Sequence, residues 1–159
     1  MRLVKPEIRN AIEPIADRYQ IDPDLIEAMV IKESSGIPTA TRYEPDFYKR
    51  YIVPLKVPEI EGKKRATSYG LLQVMFQSAI EDGYKGIAED LLLIETGLEW
   101  GVKHLLKKIK KYGQVTLDDA ISAYNAGNVR KDAHGKYLNQ YYVDTVHKYL
   151  RYLSKIREG

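Results

Sequence analysis

Apolar residues recur every three or four positions through most of this 159-residue chain, and that period commits it to a mainly helical architecture. Leu98, Val102, Leu105 and Ile109 fall on one side of a helix. So do Val143, Val146, Leu150 and Leu153 near the end, and Ile8, Ile12, Ile15 and Tyr19 near the start. The spacing predicts helices over 6–19, 22–33, 70–81, 94–111, 117–127 and 140–155, with a short element over 87–92. Asp22 before Pro23 supplies a cap and a first-turn proline, and Ser34-Ser35-Gly36 supplies a stop. Thr116, with Asp119 three residues later, has the form of an N-terminal cap, while Pro14 either bends the first segment or starts a fresh turn.

Between 37 and 67 the period breaks. Pro38, Pro45, Pro54, Pro58 and Gly62 interrupt it, and Tyr43, Phe47, Tyr48 and Tyr51 add aromatic surface. Phe47 and Tyr51 keep helical spacing, which predicts a short helix over 45–52, with an extended piece over 52–57 and loop elsewhere. A stretch of this kind inside a compact domain has the character of a groove wall or lid. The length suits one domain, taken as 1–159 with an insertion at about 37–67.

Composition removes several classes. The absence of cysteine excludes disulfides and thiolate metal sites, and His104, His134 and His147 are scattered, so neither a metal nor a cofactor is expected. The opening residues reach proline and charges before a signal-peptide core could form, and no run reaches the roughly 20 apolar residues of a membrane span. The balance of 25 basic against 22 acidic residues is modest, with much of the surplus in 103–111. That run reads as a solvated face or as a basic surface attracted to anionic cell-wall polymers. It lacks interleaved aromatics or a helix-turn-helix pattern, so no nucleic-acid partner is expected.

Glu33 is the first candidate for chemistry. Ile26, Met29 and Val30 lie on the buried side of their helix, and Glu33 continues that spacing while Lys32 faces outward. Burial raises a carboxyl pKa toward what a general acid at a glycosidic oxygen needs; the alternative is a half-exposed glutamate bonded to nearby backbone. Glu44 and Asp46 are candidates for a second carboxylate, with Arg42 and Arg50 available to pair with them instead. At 120–127, AISAYNAG sets Tyr124 and Asn125 before a terminating glycine. Tyr124 can bond a carboxylate or pack internally; Asn125 can bind an acetamido group or end the helix.

In order, Glu33-Ser34, Gly70-Leu71-Leu72-Gln73 and Ala123-Tyr124-Asn125-Ala126-Gly127 resemble the three signatures of the soluble lytic transglycosylase family, which has a lysozyme-like fold. Leu72 stands where methionine is usual. Tyr142-Val143 is a weaker fourth match, because the family often has Glu-Thr just before it where this chain has Leu138-Asn139. The resemblance is strongest over 21–153. It implies that Glu33 alone acts as acid and base, protonating the oxygen after N-acetylmuramic acid in peptidoglycan, with the sugar's C6 hydroxyl attacking to give a 1,6-anhydromuramoyl end. It further implies that Ser34 orients Glu33, that Tyr124 bonds near the carboxylate, and that Gln73, Asn125 and Tyr142 line the groove.

Tyr69, where the family has a small residue, is expected to add a stacking surface or narrow a subsite. If Glu44 faces Glu33 across the cleft, hydrolysis by a muramidase route becomes the alternative; a non-catalytic peptidoglycan-binding module is a further one. Peptidoglycan glycan strands are the expected partner and a monomer the expected state. Arg42-Tyr43-Glu44-Pro45 is similar to a segment of phage wall-degrading proteins. With no signal visible, it suggests work within a phage virion, among virion components, or delivery to the bacterial periplasm.

Overall fold

A computed structural model describes residues 3–158. Helix α1 (Pro6–Tyr19) starts on a proline, whose missing N–H costs nothing in a first turn, and runs through Pro14 to Gln20, a left-handed cap with φ 55°. Helix α2 (Pro23–Ser34) is capped by the Asp22 carboxylate, which accepts from the Asp24 N–H at 2.9 Å. Leu25, Ile26, Ala28, Met29 and Val30 are all buried, because α2 runs through the core between α1 and α8 (Gln140–Glu158). Arg9 on α1 bonds Asp24 at 2.9 Å and Glu27 at 3.2 Å, and Arg157 on α8 also pairs with Asp24, so buried charge pins the three helices together.

The expected insertion carries more regular structure than its composition announced. Strands β1 (Thr41–Tyr43), β2 (Thr67–Tyr69) and β3 (Val74–Met75) form an antiparallel sheet in that order. Between β1 and β2 the chain makes a short α3 (Pro45–Phe47), a π turn over Tyr48–Ile52, a 3-10 turn over Val53–Leu55, and α4 (Glu59–Arg65). The short helix expected over 45–52 is therefore present in composite form. The extended piece expected over 52–57 is not: that stretch is helical and ends at Lys56 with φ 56°.

The helix predicted over 70–81 also needs correction. Residues 70–73 are the turn joining β2 to β3, and only α5 (Phe76–Glu81) is helical. The run Leu71-Leu72-Gln73-Val74-Met75-Phe76 fits either period, and backbone requirements decide. Gly70 takes φ 80° and Gln73 φ 48°, values that belong in a tight turn and not in a right-handed helix.

A 3-10 turn (Ala88–Leu92) leads into α6 (Ile94–Tyr112), and α7 (Leu117–Ala126), capped by the Thr116 hydroxyl, packs against α6. The approach of α6 to the 70–73 turn is close. A Cβ at Gly70 would lie 2.4 Å from the Leu91 carbonyl oxygen, one at Gly97 2.6 Å from the same atom, and one at Gly101 2.5 Å from Leu72 Cδ1. The result is a mainly α, lysozyme-like fold with a small sheet at one side. Among the described residues, no helix is long and apolar enough to cross a membrane.

Candidate active site

The three sequence motifs meet at the 70–73 turn through its backbone carbonyls. The Ser34 hydroxyl sits 2.8 Å from the Leu71 carbonyl oxygen and 3.0 Å from that of Val30, the Tyr124 hydroxyl donates to the Leu72 carbonyl at 2.6 Å, and the Gln73 amide donates to the carbonyls of Gly70 (2.9 Å) and Ala40 (3.0 Å). A buried carbonyl left without a partner costs about 1–3 kcal/mol, so each side chain satisfies an obligation of the turn while fixing its own element to it. The consequence for α2 is positional: its last turn, which carries Glu33, is held against 70–73 from below.

Glu33 opens into a cavity of about 550 Å³ bounded by the sheet, α3 with its π turn, α6 and the end of α7. Its carboxyl is half-buried, and desolvation pushes the pKa from 4.5 up to about 7, outweighing the Lys32 charge, a bond from Tyr142 and the Arg42 charge, which all favour ionisation. The Tyr142 hydroxyl lies 3.4 Å from Glu33 Oε2, a long contact from a ring that is itself buried on α8. Burial, then the Glu33 charge and Tyr124, hold the Tyr142 phenol well above its ordinary pKa, so it remains a donor.

Several sequence expectations change in detail. The carboxylate's tyrosine partner is Tyr142 and not Tyr124, whose hydroxyl is spent on the turn, although its ring lines the cavity. The Ser34 hydroxyl bonds the Val30 and Leu71 carbonyls at the helix end and not the Glu33 carboxylate. Gln73 lines the cavity with its amide N–H groups already engaged, which leaves its carbonyl oxygen as an acceptor with no partner among the described residues. Asn125 lines it too: Asn139 donates to its side-chain oxygen at 2.9 Å, and its own amide N–H groups have no protein partner among the described residues.

Tyr69 does not line the cavity. It is buried with its ring edge-on to Phe76, and its hydroxyl reaches the Lys64 carbonyl at 3.3 Å. Side chains alternate across a sheet, and the cross-strand row Arg42, Ser68 and Met75 lines the cavity; of the other row, Thr41, Tyr69 and Val74, only Val74 reaches it. Sequence reasoning missed Ser68 for the same cause: without β2 there was no face to assign. Glu44 lines the cavity and is paired with Arg42 at 3.1 Å, whereas Asp46 does not line it.

The aromatic segment 43–51 contributes Phe47 and Tyr51, whose ring centroids stand 4.9 Å apart at the cavity edge, placed by the π turn. From α6 come His104, Lys107 and Lys108, one face of the basic run. At the point where Leu138-Asn139 departs from the usual Glu-Thr, Asn139 joins α7 to the start of α8. Its amide donates to the Ser122 carbonyl at 3.0 Å and to Asn125, and its oxygen accepts from the Ser122 hydroxyl at 2.6 Å.

A half-buried acid beside aromatic and amide groups can protonate a bridging oxygen and hold a saccharide around it. No curated protein and no solved structure matches the chain. The family model described as the transglycosylase SLT domain matches residues 10–143, which takes in all three motifs and the whole of 37–67. The chain belongs to that family and is, with it, a peptidoglycan lytic transglycosylase.

Proposed function

We propose that the protein cleaves the β-1,4 bond between N-acetylmuramic acid and N-acetylglucosamine in peptidoglycan without adding water, leaving a 1,6-anhydromuramoyl end, with Glu33 as the single acid and base. The observation that carries this is a half-buried carboxyl in the cavity with its pKa raised to about 7, supported by a tyrosine donor, whereas Glu44, which lines the same cavity, is paired with Arg42. Near neutral pH such a group can give a proton and take one back with similar ease.

The protonated Glu33 passes its proton to the bridging oxygen as the bond from C1 breaks, the bonding pair leaving with that oxygen. Positive charge spreads over C1 and the ring oxygen. The Glu33 carboxylate then takes the proton of the sugar's own C6 hydroxyl while that oxygen bonds C1. Glu33 ends as it began, protonated, and no water is consumed. Tyr142 stabilises the intervening carboxylate. The Asn125 amide and the Gln73 carbonyl oxygen supply a donor and an acceptor for acetamido and hydroxyl groups, and Phe47 and Tyr51 offer apolar faces to sugar rings.

Glu44 favours one rival, because it lines the same cavity. Acting as a nucleophile or base, it would make the reaction hydrolytic. Its pairing with Arg42 at 3.1 Å supports a structural and electrostatic role instead.

Digestion of purified peptidoglycan in heavy-oxygen water separates the two. The proposed route gives muramoyl ends one water lighter than reducing ends, free of heavy oxygen, and leaves that chemistry unchanged in Glu44→Gln. Reducing ends carrying one heavy oxygen, and lost in Glu44→Gln, would establish the muramidase route.

A further inference from the structure

The basic face of α6 reaches the cavity, and its three cavity-lining members differ in what they are bonded to. His104 Nδ1 is 2.7 Å from one oxygen of Asp82, and the Lys107 ammonium is 2.9 Å from the other. Asp82 thereby engages both. Lys108 has no carboxylate within ion-pairing distance among the described residues. Its ammonium donates one hydrogen bond, at 2.7 Å, to the carbonyl of Gly127, the residue that ends the Ala-Tyr-Asn-Ala-Gly motif, and the Tyr112 ring is a distant 6.0 Å away.

An ammonium carries three N–H donors, so two remain after Gly127 is served. Lys108 is half-buried. Burial and then the neighbouring charges of Lys107 and Lys111 push its pKa below the ordinary value, while Asp82 and Glu81 oppose this more weakly. A partly desolvated cation with no carboxylate bonded to it gains from an incoming anion more than an exposed lysine does. The position adds direction, since Gly127, Ala126 and Asn125 line the same end of the cavity as Lys108.

We propose that Lys108 is a carboxylate-binding residue of the substrate groove, recognising the free lactyl carboxylate of a muramic acid that carries no peptide and making the protein prefer such carboxylated glycan over glycan whose lactyl group is amide-linked. This rests on the peptidoglycan reading above and narrows it from a saccharide to a saccharide bearing an anionic side arm. Lys107, engaged by Asp82, contributes field and not a direct contact.

The test uses glycan strands stripped of peptide, whose muramic acids carry a free lactyl carboxylate, and the same strands with that carboxylate converted to a methylamide. Binding is measured by calorimetry in a Glu33→Gln background, so that no cleavage intervenes. Carboxylated strands are expected to bind about tenfold tighter than amidated ones. Adding Lys108→Met should bring that ratio close to one, and adding Lys108→Arg should keep most of it. Equal binding of the two strands, or a Lys108→Met protein that weakens both alike and so preserves the ratio, would overturn the proposal; the second result would reduce Lys108 to a brace for Gly127. Failure of the catalytic reading would appear separately, as no anhydro product from either strand with the unaltered chain.

Discussion

Glu33→Gln is expected to lower the release of soluble fragments from purified peptidoglycan by about a thousandfold while making the folded protein more stable at alkaline pH. The two effects have one cause. Gln fills the same space and keeps a polar contact for Tyr142, but it can neither give nor take the proton. The stability term follows from the pKa, about 7 in the folded chain against 4.5 for an ordinary glutamate.

Below pH 4.5 the carboxyl is protonated whether the chain is folded or not, and it contributes no difference. Between 4.5 and 7 the unfolded chain ionises first, so the folded state binds more protons and native stability falls as pH rises. Above 7 both states are ionised and the penalty is constant, on the order of 3 kcal/mol. Gln removes it. The melting temperature of Glu33→Gln should therefore match that of the native chain near pH 4 and exceed it by on the order of 10 °C at pH 8. A variant that lost activity with no pH-dependent gain in stability would mean that Glu33 is not held against its ionisation.

The second large effect concerns the turn on which the motifs converge. Gly70→Ala puts a Cβ 2.4 Å from the Leu91 carbonyl oxygen at a residue with φ 80°. Backbone atoms confined between Gly70 and Gly97 have little room to yield, so strain and clash add to roughly 3–5 kcal/mol, a large share of a domain's stability. Gly83→Ala is the internal control. It has φ 105°, but no atom within 4 Å of the new Cβ, so it carries conformational strain alone, about 1 kcal/mol. Urea unfolding should rank Gly70→Ala well below Gly83→Ala. Because Ser34, Gln73 and Tyr124 all bond to the turn, Gly70→Ala should lose activity even where it remains folded. Equal losses of stability at the two positions would deny the close packing of the turn.

Much of the fold was legible wherever a boundary had its own chemistry. Asp22-Pro23, Thr116 and the glycine after Ala126 mark the ends of α2 and α7 because caps and left-handed glycines act locally. The buried side of α2 was legible as well, and Glu33 stood out by continuing it. What the sequence concealed depends on pairing at a distance. The sheet is assembled from two three-residue strands and one of two residues, too short to declare a period, and residues 70–76 satisfy a helical pattern until β2 claims β3. Without the sheet there was no face to assign to Ser68, and none to show that Tyr69, expected in the groove from the resemblance, turns into the core.

The tyrosine assignments show the same limit. Tyr124 and Tyr142 are both motif residues near Glu33, and only packing between α2 and α8 decides that Tyr142 faces the carboxyl while Tyr124 serves Leu72. The basic run on α6 read as a solvated or polymer-attracting face. Its inward members became distinguishable once Asp82, which no motif contains, was seen to engage Lys107 and His104 and not Lys108.

The account depends on Glu33 carrying a proton near neutral pH, and NMR titration of its side-chain carboxyl measures that directly, with Glu33→Gln identifying the resonance. The midpoint should lie near pH 7 and coincide with the alkaline limb of kcat/KM. In Tyr142→Phe it should move higher, since the phenol's bond favours the ionised form. A Glu33 carboxyl titrating near 4.5, with activity maintained well above that pH, would contradict the account.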